Sequence, residues 1–351
     1  MRTGISCNRF GRGGGFERYA MDLVRGMIAR GERPAVFARR FDRGLPELAA
    51  IDAHPIHVRW LPGKMRDYLF SWGMRNAHRH CDVLIGCNRV VGADLAICGG
   101  THRGYLLAAQ RPATFWDQRQ ITLESRHYAA ARHVVAHSRL MAQELRTLYG
   151  VPESKLSLLY PPVDCTRFGT VDDAHRARLR AAFGFGDAPV FLFPSSDHRR
   201  KGLPLLARAL AASHSGAIIA VAGRPVGEDL PGVRELGYCD NMADLYRAAD
   251  YTVLASNYEP FGLVGVESVL CGTPVIMADN IACLEVIAPE AALTFSRQDV
   301  AQCASAMAKA AVLAKAGNAR IAAPLQALRY NPEPAAHLDA LLALAGTSPH
   351  A

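Results

Sequence analysis

The chain has 351 residues, 50% of them hydrophobic and 21% charged, which is a globular composition with room for two domains of ordinary size. It carries a formal net charge of +8, no run of ~20 apolar residues to span a bilayer, and no apolar signal-peptide core in Met1–Phe10, so the expected location is cytoplasmic. Nine cysteines without a C-x-x-C pair read as reduced thiols, with Cys98, Cys271 and Cys283 buried, rather than as disulfides or zinc ligands.

The charge is uneven. Residues 1–165 hold 24 Lys/Arg against 14 Asp/Glu, whereas residues 166–351 hold 16 against 18. A basic first half beside a near-neutral second half implies different ligands for each. An anionic acceptor, an anionic lipid surface or nucleic acid would each suit the basic half.

In chain order, Ile5–Asn8 predicts a first strand. It is followed by the loop Gly11–Gly15, a helix over Phe16–Arg30 with Phe16, Tyr19, Leu23, Val24 and Met27 on one face, and a strand over Pro34–Ala38. Strand, glycine loop, helix, strand opens an α/β unit. The dinucleotide fingerprint fails, because Arg18 stands where a third glycine is required after Gly13 and Gly15. Arg39 and Arg40 stand where an acid is expected, although such arginines also suit an NADP phosphate. Gly13, Gly14 and Gly15 either make a tight turn or let backbone approach a ligand closely.

The aromatic-basic stretch His57–Lys64, then Tyr68–Trp72, has no assigned structure. Cys81–Gly86 and Ala93–Cys98 predict buried strands. The second runs into Gly99-Gly100-Thr101-His102, where α/β folds place ligands and His102 becomes a candidate. Arg103, Arg111, Arg119, Arg126 and Arg132 recur among Phe115, Trp116 and Tyr128. They read as solvated helix faces or as contacts to phosphates and lipid headgroups. Val134–Ser138 predicts a strand, followed by a helix through Tyr149. Pro161-Pro162 and the extended run to Phe168 suit a semi-rigid connector, giving domains 1–165 and 166–334 with a tail 335–351.

The second domain opens with the strand Val190–Phe193. The basic turn His198-Arg199-Arg200-Lys201-Gly202 follows, then a helix over Leu203–Ala212. Arg200 and Lys201 suit a diphosphate. Ile218–Gly223 is the next strand, and Gly237-Tyr238-Cys239-Asp240 precedes a helix over Met242–Ala248. The chain centres on Ser256–Ile276. Here Pro260 keeps Glu259 extended, a helix starts at Gly262 with Leu263, Val266 and Leu270 on one face, and Gly272 stops it. The free N–H groups of Gly262, Leu263 and Val264, with the positive end of the helix dipole, make an anion site flanked by Glu259 and Glu267. Either acid alone also reads as an ordinary surface glutamate.

The string E-P-F-G-L-V-G-V-E, followed by C-G-T-P-V-I, resembles the E-x7-E signature of family 4 retaining glycosyltransferases of the GT-B fold. That resemblance implies two Rossmann-like α/β domains facing each other across a cleft, with a last helix over 335–346 crossing back. It gives Glu259 the donor sugar and Glu267 the ribose of a nucleotide sugar. Gly13, Gly14 and Gly15 become a backbone approach to the donor, and Gly237 and Tyr238 the base-reading segment. Arg200 and Lys201 become the diphosphate clamp, while His102 aligns loosely with a residue near the donor sugar. The adjacent Arg-Lys pair is similar to the lipopolysaccharide-core branch, which implies UDP-glucose as donor and a saccharide or anionic glycolipid as acceptor. Peripheral contact with the cytoplasmic face of the inner membrane through the basic domain goes with that. GDP-mannose or UDP-GlcNAc for exopolysaccharide are the alternative donors and product. No D-x-D pair occurs, so no metal cofactor is expected. A phosphorylase, an epimerase or a nucleic-acid-binding protein would be readings of other classes, although the arginines follow no recognised nucleic-acid module.

Overall fold

The computed structural model describes residues 2–11, 13–58, 60 and 62–346. The chain divides into two compact units, one formed by residues up to Pro162 together with those from Pro332 on, the other by Val163–Asn331.

The first unit is a seven-stranded parallel sheet of β1 (Thr3–Cys7), β2 (Ala35–Ala38), β3 (Asp52–Pro55), β4 (Val83–Gly86), β5 (Leu95–Cys98), β6 (His133–Ala136) and β7 (Leu156–Leu158). Its order is β3-β2-β1-β4-β5-β6-β7. β1, β2, β4 and β5 are buried along their whole length and read as short apolar runs, as a parallel sheet covered on both faces demands. The edge strand β3 alternates half-buried and exposed residues and ends on Pro55, which suits a strand with one unpaired side. The first strand starts two residues earlier than the sequence suggests. Gly4 looks unfavourable in a strand, yet a Cβ there would lie 2.5 Å from Cys81 Sγ, so the packing requires glycine.

The second unit holds β8 (Val190–Ser195), β9 (Ile218–Gly223), β10 (Val233–Gly237), β11 (Tyr251–Leu254), β12 (Val275–Ala278) and β13 (Ala292–Phe295). They are parallel, in the order β10-β9-β8-β11-β12-β13. The sequence hides the two edge strands. β10 (VRELG) is polar and partly exposed, and β13 is only four residues long.

Helices cover the sheets largely where periodicity puts them, at Gly15–Ala29, Arg139–Tyr149, Leu203–Ser213 and Met242–Ala248. The arginine-rich segment is a helix over Phe115–Ala130, opened by a reciprocal capping box between Thr114 and Asp117. The final helix, Pro334–Gly346, belongs to the first unit. There Leu338 and Leu341 are fully buried in the same core as Leu23, Val24 and Met27, and Asp339 meets Arg30 at 2.7 Å.

Candidate functional site

Each sheet reverses its strand order at one place, between β1 and β4 in the first unit and between β8 and β11 in the second. In open parallel sheets the loops leaving the carboxyl ends of two such strands diverge and leave a crevice, where ligands bind.

In the second unit the two diverging loops carry the basic pair and Glu259. After β8 the chain forms a short helix, His198–Lys201, rather than an open turn; Asp197 caps it by accepting from the Arg200 N–H at 3.2 Å. Gly202 then turns the chain with φ 88°, where a Cβ would meet the Ala255 carbonyl oxygen at 2.3 Å. Only glycine fits, and the close approach lets backbone bonds lash the loops together. Ala255 N–H donates to Lys201 O (3.1 Å) and Asn257 N–H to Arg200 O (3.0 Å).

The side chains follow from this splint. Arg200 donates to Tyr258 O (3.0 Å) and lies 3.7 Å from Glu259 Oε2. Glu259 also accepts from Ser256 Oγ at 3.0 Å. Lys201 Nζ donates to Pro194 O at 2.9 Å. Burial lowers the Lys201 ammonium below its ordinary value, while the carboxylates of Glu259 and Glu267 push it back up. With Pro194 O as its one hydrogen-bond acceptor among the described residues, half-buried Lys201 keeps donor capacity for an anion.

The helix Leu263–Leu270 begins beside Glu259. Gly262 at its start has φ 96°, and a Cβ would crowd Glu259 Cγ at 3.2 Å. Gly265 N–H turns back to Gly262 O (2.9 Å), and helix geometry leaves the N–H groups of Leu263 and Val264 without an intrahelical acceptor. Glu267, one face further along, is 3% exposed and accepts from Tyr246 Oη at 2.9 Å. Gly237 ends β10 with φ 71° and Tyr238 stands 74% exposed after it. Glu259, Arg200, Lys201 and the start of this helix therefore form one cluster.

In the first unit the crevice is a cavity of about 330 Å³. The loop after β1 supplies Asn8, and that after β4 supplies Asn88 and Arg89. Ser6 Oγ donates to Asn88 Oδ1 (2.8 Å) and Asn88 Nδ2 to Asn8 Oδ1 (3.2 Å), tying the two loops together. Arg89 pairs with buried Glu124 at 2.6 Å and lies 3.8 Å from Asp67. Burial raises the Asp67 carboxyl, but Arg39, Gln120 and Arg89 together hold it below its ordinary value. Gly14 precedes the helix that starts at Gly15 in extended conformation, and a Cβ on Gly13 would lie 2.7 Å from Glu17 Cγ.

His102 opens a helix over His102–Ala108, capped by Thr101. Its ring nitrogen Nε2 lies 2.7 Å from Asp117 Oδ1, and its N–H donates to Glu124 at 2.9 Å. Arg111 above all, then Thr114 and His102, hold the Asp117 carboxyl well below the usual carboxylate range. His102 thus sits beside the cavity-lining Glu124 and is tied into the cap of the neighbouring helix. A second histidine, His137 at the end of β6, is buried against Phe16 and Tyr19 with Nε2 unpartnered.

Sequence reading missed Asn8, Asn88, Arg89, Glu124 and Asp67, which meet from four separate segments. The one available signal was the polar Asn88-Arg89 step just beyond a buried strand. It gains meaning only when β4 is known to neighbour β1.

Two open α/β units of like topology, each with polar and charged loops at its strand-order reversal, define a protein of the GT-B class. WaaG, a glycosyltransferase involved in lipopolysaccharide biosynthesis, matches with a TM-score of 0.81 at 17% identity over 98% of this chain and 100% of its own. HepE of Anabaena, solved with UDP and glucose, matches at 0.77 and 17% over 99% and 100%. In sequence, the model of Glycosyltransferase Family 4 matches residues 13–167, and that of Glycosyl transferases group 1 matches residues 188–311. A probable transglycosylase of Burkholderia thailandensis is 52% identical over 98% of this chain and 97% of its own. A D-inositol 3-phosphate glycosyltransferase of Jonesia denitrificans is 27% identical over 77% and 76%. The chain belongs to glycosyltransferase family 4 and is a glycosyltransferase.

Proposed function

We propose that this protein transfers a hexose from a nucleotide sugar, UDP-glucose, to a saccharide or glycolipid acceptor in cell-surface glycan assembly, with retention of anomeric configuration and without a metal. The observation that carries the reading is the cluster at the β8/β11 reversal. Two cations and a helix N-terminus converge there, with a carboxylate set to meet hydroxyls. The likeness to HepE, solved with UDP and glucose, supports the choice of donor.

In this reading the diphosphate rests on the Leu263 and Val264 N–H groups, with Arg200 and Lys201 on its oxygens. Glu259 accepts hydrogen bonds from sugar hydroxyls. Glu267, oriented by Tyr246, accepts from the ribose diol, and the backbone of Gly237 and Tyr238 reads the base. Gly13, Gly14 and Gly15 bring backbone to the donor, and His102 contacts the donor sugar. The bond from the sugar's anomeric carbon to the β-phosphate oxygen breaks as the acceptor oxygen bonds to that carbon on the same face. The acceptor's proton passes to the β-phosphate. Charge grows on the departing diphosphate, so preorganised donors there lower the barrier.

A peripheral membrane role finds support in an exposed aromatic-basic surface of the first unit. Trp60, Trp72 and Phe115 are largely exposed. Arg75 sits 4.0 Å over the Trp72 ring and Lys64 5.5 Å over Trp116, a pairing that suits an anionic interface. Among the described residues no helix is long and apolar enough to cross a membrane.

Calorimetric titration of nucleotide sugars tests the reading, with binding of UDP-glucose by the wild type and loss in Lys201→Ala as the expected result. Equal binding by both proteins would remove the donor from this cluster. A preference for GDP-mannose or UDP-GlcNAc would replace the donor while leaving the cluster in place.

A further inference from the structure

The arginines beyond β2 have no part in the donor reading, yet they line a groove of about 1120 Å³ in the first unit, with Arg9, Arg39, Arg40, Arg43, Asp42 and His57 among its walls. The groove lies at the carboxyl ends of three adjacent strands. Arg9 is two residues past β1, Arg39 and Arg40 directly follow β2, and His57 is two residues past β3. Its floor is built. Phe10 N–H donates to Arg40 O (2.8 Å) and Asp42 N–H to Phe10 O (2.9 Å), so the loops after β1 and β2 form a parallel bridge with the Phe10 and Phe41 rings 5.8 Å apart.

The charges in this groove do not cancel. Asp42 takes both forks of Arg9, at 2.8 and 2.7 Å, and lies 3.6 Å from Arg40. Arg39 is committed to Asp67 and stacks 5.2 Å over the Phe70 ring, but its buried Nε has no partner. Arg43 is exposed, and no carboxylate pairs with it among the described residues. Asp42 is shared by Arg9 and Arg40, the Glu17 carboxylate also acts on Arg9, and Arg43 has no carboxylate partner among the described residues, so positive charge stands in excess. Planar forks held at fixed places recognise phosphate oxygens bidentately. Asp67, which holds Arg39, also lies 3.8 Å from Arg89 of the neighbouring cavity, so a ligand in the groove would border that cavity.

Resting on the transferase reading above, we propose that this groove is the acceptor subsite and that the acceptor is a phosphorylated saccharide. Its phosphate is held by Arg40 and Arg43, with Arg9 and Arg39 as the fixed backing of the site.

The experiment titrates glucose 1,6-bisphosphate into the full-length protein in saturating UDP, with glucose as neutral control. UDP affinity is measured separately, and Arg40→Gln/Arg43→Gln is compared with the wild type. Expected is binding of the bisphosphate but not of glucose, weakened about tenfold or more in the double variant, with UDP affinity within about twofold of wild type. No bisphosphate binding in the presence of bound UDP, or binding that the double variant leaves unchanged, would overturn the subsite while the donor reading stands. Loss of UDP binding by the wild type itself would instead sink the transferase reading. Sedimentation with phosphatidylcholine vesicles containing phosphatidic acid separates the remaining source of phosphate. If the double substitution abolishes vesicle binding and the bisphosphate does not bind, the groove faces a membrane and the proposal fails.

Discussion

The two strand-order reversals are built from like topology and unlike materials. At β8/β11 the functional groups come from two short loops spliced by backbone hydrogen bonds, with glycines at positive φ and a helix N-terminus. At β1/β4 the crevice is walled by side chains from distant segments, knitted by the Arg89–Glu124 pair and the Asn8–Asn88 bond. Backbone sites leave local traces in a sequence because glycine, proline and a capping acid must stand at fixed spacings. Side-chain sites leave almost none, because their members become neighbours only through the sheet.

The largest expected effect separates chemistry from scaffold. Lys201→Ala or Glu259→Gln lowers transfer rate about 10²- to 10³-fold, equivalent to ~2.7–4 kcal/mol of barrier, with the melting temperature nearly unchanged. Steady-state kinetics beside calorimetry reads both. An unfolded Lys201→Ala would place the lysine in the scaffold instead.

Next comes the splint itself. Gly202→Ala forces a Cβ against Ala255 O in a left-handed conformation and is expected to cost about 3 kcal/mol of stability. A urea midpoint equal to wild type would show that the two loops are not held as described.

The first unit breaks differently. Arg89→Ala strands Glu124, which is 1% exposed, and should cost about 3 kcal/mol despite the partners His102 N–H and Tyr149 Oη that remain. Arg89→Ala/Glu124→Gln should regain part of that loss in the same chemical denaturation. A double variant no better than the single one would deny the pair its structural weight.

Smallest per residue is the response to acid. Burial lowers the histidine pKa to about 4 for His127, about 3 for His137 and about 4 for His337, all in the first unit. A folded pKa below the unfolded value of about 6.5 means that the unfolded chain takes up protons first. Stability is therefore full above pH 6.5 and is lost as pH falls towards 4, by about 1 kcal/mol per histidine near pH 5.5. Hydrogen exchange at pH 7.5 and 5.5 should show the loss in the first unit, with a shallower slope in His137→Phe.

Much of this was legible beforehand, for physical reasons that differ by element. Helix Met242–Ala248 and strand Ile218–Gly223 fall where their apolar pattern puts them, and the run from Glu259 to Gly272 declares its turn, helix and stop through Pro260, Gly262 and Gly272. β10 stayed hidden because an exposed edge tolerates Arg234 and Glu235. The arginines around Phe115–Ala130 read as helix faces without fixed bounds, although the Thr114 and Asp117 cap that opens the helix was written in the sequence. His102 was noticed for its place after a strand, but nothing local announces its tie to Asp117 fifteen residues on.

The most direct measurement is a crystal structure with UDP bound. Expected is the diphosphate within hydrogen-bond distance of the Leu263 and Val264 N–H groups and of Lys201 Nζ, with the ribose hydroxyls on Glu267. A diphosphate bound away from the helix that starts at Leu263, with Lys201 still on Pro194 O alone, would contradict the central claim.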